Sequence, residues 1–137
     1  DVCSSDLIGF AGGAVDWYPR KKIGDIVGVT RRFYENWDEA AHRKYMDAFS
    51  IDPGKTPREL SEGMRVKLNL ALALSHGAEL LILDEPLHGL DDYNRIMVKE
   101  IIETFCQRKD KTMILVSHYE DEFPRNITHR LVLDRHV

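Results

Sequence analysis

The sequence predicts an α/β protein in which a partial parallel sheet is flanked by helices and preceded by a small α-helical section. Three observations carry this. Leu80-Leu81-Ile82-Leu83 is an apolar run without alternation, the pattern of a central strand covered on both faces. Thr112 to Val116 is a second buried-strand pattern, and Arg130 to Asp134 alternates apolar and polar as a last strand. Between and before these strands lies helical periodicity, giving the strand-helix-strand order that parallel pairing requires.

Element by element, the chain opens with Asp-Val-Cys-Ser-Ser-Asp-Leu, which has no charged-then-apolar signal-peptide pattern. Residues 1–7 resemble the translated read-through of a sequencing adaptor, so they are set aside as an artefact. On that expectation the chain is the back part of something longer. Ile8 to Ala11 reads as a short strand stopped by Gly12 and Gly13. Trp17, Tyr18 and Pro19 occupy the following loop, then the basic run Arg20, Lys21, Lys22. Ile23, Ile26, Val27 and Phe33 form a helical stripe, so a helix is expected over Ile23 to Tyr34.

Asp38 is a suitable N-cap for a second helix through Phe49, with Ala41, Tyr45, Ala48 and Phe49 on one face. Pro53 and Gly54 break it, and Thr56, Pro57 and Glu59 supply a cap, a first-turn proline and a capping-box acid. Met64 to Ser75 is a strongly apolar helix, buried over most of its circumference. Asp91 to about Arg108 is the next helix, and Glu120 to Phe123 begins a short one that Pro124 interrupts.

The chain has 137 residues, 43% of them hydrophobic and 31% charged, the balance of a soluble globular protein. Its net charge of −4 argues against a dominant nucleic-acid surface. No apolar run approaches the roughly 20 residues of a membrane-spanning helix. Cys3 and Cys106 are unrelated thiols that make neither a disulfide framework nor a zinc site, which fits a reducing, cytoplasmic setting.

The most informative segment is Leu80-Leu81-Ile82-Leu83-Asp84-Glu85-Pro86. Four apolar residues deliver two carboxylates to the carboxyl end of a buried strand, where open α/β sheets bind ligands. One carboxylate there can hold Mg²⁺ together with phosphate oxygens, and the next can polarise a water for attack on phosphorus. The plainer reading is a helix cap after a strand. Upstream, Leu60-Ser61-Glu62-Gly63-Met64 opens the apolar helix. Ser61 offers a hydroxyl, Gly63 allows close backbone approach, and the helix start attracts anions. Ser61 also suits a simple N-cap role. Downstream come Gly89-Leu90-Asp91 and Val116-Ser117-His118, the latter bringing His118 to the sheet edge that carries Asp84 and Glu85.

Leu-Ser-x-Gly, apolar-Asp-Glu-Pro, Gly-Leu-Asp and Ser-His, in that order, resemble the ATPase subunit of ABC (ATP-binding cassette) systems, from Ile8 to about Val137. The resemblance implies a P-loop NTPase-like fold, with ATP and Mg²⁺ as ligands and hydrolysis as the reaction. It implies that Ser61 and Gly63 contact the γ-phosphate of ATP held by an opposite subunit, and that Asp91 lies across the dimer seam. Asp84 would help position Mg²⁺, Glu85 would be the catalytic carboxylate, and His118 would contact the γ-phosphate. It divides the chain into a helical subdomain at about residues 20–63 and the latter part of the α/β core at about 64–137.

Gly54-Lys55-Thr56 invites reading as a phosphate-binding loop, but position 49 is Phe49 rather than Gly, no buried strand precedes it, and Pro57 follows at once. It is expected to be a turn, with the true P-loop upstream of Ile8. The chain alone is therefore expected to be inactive. Gly13 stands where the family usually carries Gln, with Asp16 a possible substitute, and Leu87-His88 replaces the usual Thr-Ser. Phe33-Tyr34-x-Asn36-Trp37-Asp38 and Met64-x-x-Lys67 are similar to bacterial exporter-type subunits. The implied partners are a second ATPase subunit, as homo- or heterodimer, and a transmembrane subunit met by the helices from Ile23 to Phe49. Trp17, Tyr18 and Phe33 are contact candidates, or else fill the helical section's own core. The implied location is cytoplasmic, at the inner face of the membrane. The alternative, from Asn126 to Arg130 and Leu87 to Leu90, is a soluble cassette of the molybdenum-transport or photorepair kind, regulatory or nucleic-acid-associated.

Overall fold

Three parallel strands in the spatial order β1-β2-β3 form the centre of the chain: β1 (Ile8–Gly12), β2 (Leu80–Asp84) and β3 (Thr112–Val116). The computed structural model describes residues 8–12, 20–77 and 79–133. The readings at Asp1 to Leu7, Gly13, Asp16, Trp17, Tyr18 and Asp134 lie outside these. The register sets Gly12 opposite Asp84, and Asp84 opposite Val116, so the carboxyl ends finish level.

Two helices precede the second strand's approach, α1 (Ile23–Phe33) and α2 (Glu39–Ala48). The first amides of α1 are satisfied from outside it: Ile23 N–H donates to Lys55 O at 2.9 Å and Gly24 N–H to Pro53 O at 3.0 Å. Gly54-Lys55-Thr56 is thus a turn that holds a helix start, with Asp52 Oδ1 accepting the Gly54 N–H at 2.8 Å. Asp38 caps α2 by accepting the Ala41 N–H at 3.0 Å. The buried face of α2 is His42, Tyr45 and Met46, continued by Phe49, while Ala48 is exposed. The observed face is the expected one rotated by about 60° around the helix, with Tyr45 and Phe49 common to both.

Thr56 does not open the long helix. Pro57–Glu59 is one 3-10 turn, and the Thr56 hydroxyl donates to Glu59 Oε1 at 3.1 Å instead of capping backbone. Leu60 is extended, and Ser61 caps α3 (Glu62–Ser75), whose residues from Leu70 onward are buried on all sides. Helix α4 (Asp92–Cys106) starts at the Asp91 cap and buries Val98, Ile102 and Phe105. A single hydrophobic cluster runs from Ile23 and Val27 through Tyr45 and Phe49 to Leu68, Leu81, Leu83 and Ile102.

The strands are covered on one face only, contrary to expectation. Leu81 and Leu83 are fully buried, but Leu80 and Ile82 are half-buried, and on the same face Ile114 is 48% and Val116 46% exposed. Both steps across the sheet, β1 to β2 and β2 to β3, run the same way. Right-handed crossovers then place α3 and α4 on one side and leave the other without a helix among the described residues. The last expected strand is also absent over its described part: residues 130–133 have no regular structure, and Leu131 and Leu133 are exposed. Apolar content alone does not make a strand without a hydrogen-bonding neighbour. The segment is held instead by Arg130, which pairs with Glu120 and lies 5.8 Å from the Phe123 ring centre. The short helix at Pro124 is a 3-10 turn, Glu120–Glu122.

At the amino ends of the strands, residues 34–38 are fixed to the end of α3. The Tyr34 ring stacks on His76 with centroids 3.9 Å apart, and Asp38 N–H donates to Ser75 O at 2.9 Å.

Candidate functional site

Asp84 ends β2, and Glu85 is the first residue beyond the sheet. Its φ is 50°, a left-handed conformation that costs a non-glycine residue about 1–3 kcal/mol. The Glu85 N–H donates to Val116 O at 2.9 Å, which carries the parallel ladder one step past Asp84. The turn closes through His88 N–H to Glu85 O at 3.2 Å. Pro86 and Leu87 beneath it are buried, so Leu87 is a core residue and His88 an exposed one.

His118 follows two residues after Val116. Its Nε2 lies 3.2 Å from Glu85 Oε1, with the Glu85 side chain 24% and the His118 side chain 84% exposed. That Glu85 oxygen is buried and has no hydrogen-bond partner, so the imidazole stands close without aligned donation. A buried carboxylate oxygen lacking a donor is costly, and a water, a cation or a ligand hydrogen would relieve it. Asp84 is exposed beside it. The structure therefore brings Asp84, Glu85 and His118 to one edge, as their places in the sequence predict.

Ser61, Gly63 and Asp91 lie at two neighbouring helix starts. Ser61 Oγ accepts the Met64 N–H at 3.2 Å, and Asp91 Oδ1 accepts the Asn94 N–H at 2.8 Å, so both side chains act as caps in this chain. The starts lie side by side: a Cβ placed on Gly63 would sit 3.4 Å from Gly89 O and 3.6 Å from Leu90 Cδ2, so the space between them would admit a methyl group. Gly89, at φ 79°, faces the Glu62 side chain. Gly89 sits in a turn where positive φ favours glycine.

Among the described residues no group of three or more His, Cys, Asp or Glu is placed to hold a metal ion. Magnesium takes few protein carboxylates and fills its shell with water and phosphate oxygens, so the exposed Asp84 and the unpaired Glu85 oxygen fit it.

Comparison with known proteins gives the family. A family model described as "ABC transporter" matches residues 15–88. The phosphate import ATP-binding protein PstB 4 of Trichormus variabilis is 31% identical over 113 residues, 82% of this chain and 40% of that protein. The aliphatic sulfonates import ATP-binding protein SsuB of Pseudomonas fluorescens is 38% identical over 102 residues, 73% of this chain and 37% of that protein. The chain thus spans about two fifths of the length of these relatives. A putative ABC transporter ATP-binding protein from Pyrococcus furiosus superposes with a TM-score of 0.71 at 21% identity, over 85% of this chain and 59% of that one. A dimeric ATP-binding cassette in a post-hydrolysis state with ADP and Pi also gives 0.71, at 17% identity, over 89% and 60%. These structures share the fold, that of the ABC ATPase cassettes, and the family match adds the lineage. The chain belongs to the ABC transporter family.

Proposed function

We propose that this chain is part of the ATP-hydrolysing motor subunit of an ABC transporter. One observation carries the reading most directly. At the carboxyl end of a parallel sheet, Glu85 is held in a strained turn with one carboxylate oxygen buried, without a hydrogen-bond partner and 3.2 Å from His118 Nε2. A carboxylate so placed accepts a proton from, or orients, a water approaching phosphorus. Strain of this kind persists where surrounding structure holds it, here through the Val116 hydrogen bond.

On this reading Glu85 orients the attacking water and His118 donates toward the γ-phosphate. Asp84 is the carboxylate toward Mg²⁺, whose role is to neutralise developing phosphate charge. Ser61 and Gly63, at the start of α3, meet the γ-phosphate of a nucleotide on a second ATPase subunit, and Asp91 lies at that seam. The helical part at about residues 20–63 meets a transmembrane subunit, and residues 64–137 are the latter part of the core. Phe33, 71% exposed, is free of the helical section's core and suits that contact. No helix among the described residues is long and apolar enough to cross a membrane, so the proposed site of action, the inner membrane face, rests on the partner. No phosphate-cradling loop is found among the described residues, and the 137-residue chain by itself is proposed to turn over no ATP. The exporter-type assignment rests on Phe33 to Asp38 and Met64-x-x-Lys67. The two relatives above are import proteins by name, so transport in inverted and right-side-out vesicles decides the direction.

The test is ATPase activity of the full-length protein with and without Glu85→Gln. Hydrolysis should fall by at least about 100-fold while ATP binding persists. Unchanged hydrolysis removes Glu85 from this role. Co-purification with a membrane subunit supports a transport motor, and a second cassette without one supports a soluble regulator.

A further inference from the structure

His118 is carried by an exposed stretch whose far end is bonded to α4. Two local turns follow β3. Tyr119 N–H donates to Ser117 Oγ at 3.2 Å with His118 between them, and Phe123 N–H donates to Glu120 O at 3.3 Å. Pro124 is then buried. Lys99 and Glu103, half-buried and one turn apart on α4, share a face. The Lys99 ammonium donates to Asp121 O at 2.6 Å. Arg125 N–H donates to Glu103 Oε1 at 3.1 Å, and Asn126 Nδ2 to Glu103 O at 3.2 Å. The helix thus holds the chain at residue 121 and again at 125–126, in two places through a charged group, which makes the stronger kind of hydrogen bond. The His118 side chain is itself mostly exposed, so its place beside Glu85 follows from the backbone that carries it.

We propose that Lys99 and Glu103 are positioning residues, a clamp on α4 that fixes residues 121–126 and, through the two turns before them, holds His118 beside Glu85. The strand secures the other end, where Glu85 N–H donates to Val116 O at 2.9 Å. His118 is therefore slung between β3 and α4, with only residues 117–120 between the strand and the first clamp bond. The same helix begins at the Asp91 cap, so Asp91 and the His118 stretch are tied to one rigid element. The consequence for turnover rests on the motor reading above, in which His118 meets the γ-phosphate. Misplacing such a group by about 1 Å can cost on the order of 100-fold in rate.

The experiment uses the full-length protein as wild type, as the double variant Lys99→Met/Glu103→Met and as Glu103→Gln. Methionine keeps an unbranched, helix-favouring side chain while removing the donor and the acceptor. Glutamine keeps an oxygen that can accept the Arg125 N–H. Three readouts are taken: hydrogen exchange at the Tyr119, Phe123 and Arg125 amides, the nuclear Overhauser effect between the His118 ring and the Glu85 side chain, and ATPase kinetics. The double variant should speed exchange at these amides by about tenfold and weaken the His118–Glu85 signal. It should lower kcat by about fivefold or more and leave KM for ATP unaltered. Glu103→Gln should stay near wild type in all three. If the double variant proves poorly folded, Lys99→Met and Glu103→Met are read singly, with smaller changes of the same sign. An unchanged His118–Glu85 signal overturns the clamp, and so does a loss in Glu103→Gln equal to that in the methionine form. Unchanged kcat in an active enzyme overturns its part in turnover. A weakened signal in a full-length protein whose wild type has no ATPase activity supports the clamp and removes the motor reading, so the two fail separately.

Discussion

His118 Nε2 stands 3.2 Å from Glu85 Oε1 because backbone pairing puts it there: Asp84 lies opposite Val116, and the Glu85 N–H extends the ladder to Val116 O. Side-chain chemistry did not select the approach. Two neighbouring strands that end level deliver one group each. The cost falls on Glu85, whose φ of 50° suits glycine.

Glu85→Gly should therefore stabilise the fold by about 1 kcal/mol, the relieved strain less the added freedom of the unfolded chain. Under the proposed motor role it should also abolish hydrolysis in the full-length protein. Urea midpoints of the two forms check the first part. A lower midpoint for the glycine form would show that the left-handed turn is not strained.

Gly63 is predicted to show the opposite separation of stability and function. A Cβ there would make only ordinary contacts, at 3.4 Å to Gly89 O and 3.6 Å to Leu90 Cδ2. Nothing inside the chain demands glycine, and glycine within a helix costs about 0.5–1 kcal/mol relative to alanine. Gly63→Ala should raise the melting temperature while lowering ATPase activity, if the missing side chain leaves room for a nucleotide on a second subunit. Equal activity in the two forms would remove Gly63 from the proposed site.

Gly77→Ala should fail for steric reasons. Its φ is 71°, and an added Cβ would fall 1.9 Å from Asn36 O. Backbone would have to move, breaking the Tyr34–His76 stack nearby. The expected loss exceeds about 3 kcal/mol. A melting temperature within a few degrees of wild type would show that residues 34–38 are not fixed to the end of α3.

The sheet-edge site was legible because each part of it is local. Asp84 and Glu85 follow an apolar run, and Ser117-His118 follow another, so strand ends alone place three side chains. Caps were equally readable at Asp38 and Ser61, where one side chain serves an amide three residues on, while Asp91, expected as the first residue of its helix, caps it in the same way. The misreadings concern what covers a segment. Residues 112–116 and 130–133 carry strand-like apolar content, but burial depends on helices that cross the sheet and pairing depends on an available edge. Neither is written in the segment itself.

The two faces of the sheet should answer differently to the same truncation. Leu83 is completely buried beneath the crossover helices, whereas Ile114 is 48% exposed on the other face. Leu83→Ala should cost about 2–5 kcal/mol. Ile114→Ala should cost under about 1 kcal/mol in the 137-residue chain, since much of its surface already meets water. Paired urea titrations of the chain decide this. A large loss from Ile114→Ala would mean that a further layer covers the face, for instance through self-association, which sedimentation would detect.

Stability should also fall in mild acid, through His76. Burial lowers its pKa from 6.5 to about 4, and its Nδ1 is buried without a hydrogen-bond partner, so the ring is held neutral. The unfolded chain takes up the proton near pH 6.5, and the folded one only near 4. Below pH 6.5 the unfolded state binds more protons, so the contribution is complete above that pH and is lost as pH falls towards 4. The gap corresponds to about 3 kcal/mol at most, at about 1.4 kcal/mol per pH unit. His42, also lowered chiefly by burial, pushes in the same direction despite Glu39 beside it. His76→Phe keeps a ring to stack on Tyr34 and cannot titrate. Its urea midpoint should change less between pH 7 and 4.5 than that of wild type, the carboxylates being common to both. Parallel pH profiles for the two proteins would show that His76 is protonated in the folded state as readily as in water.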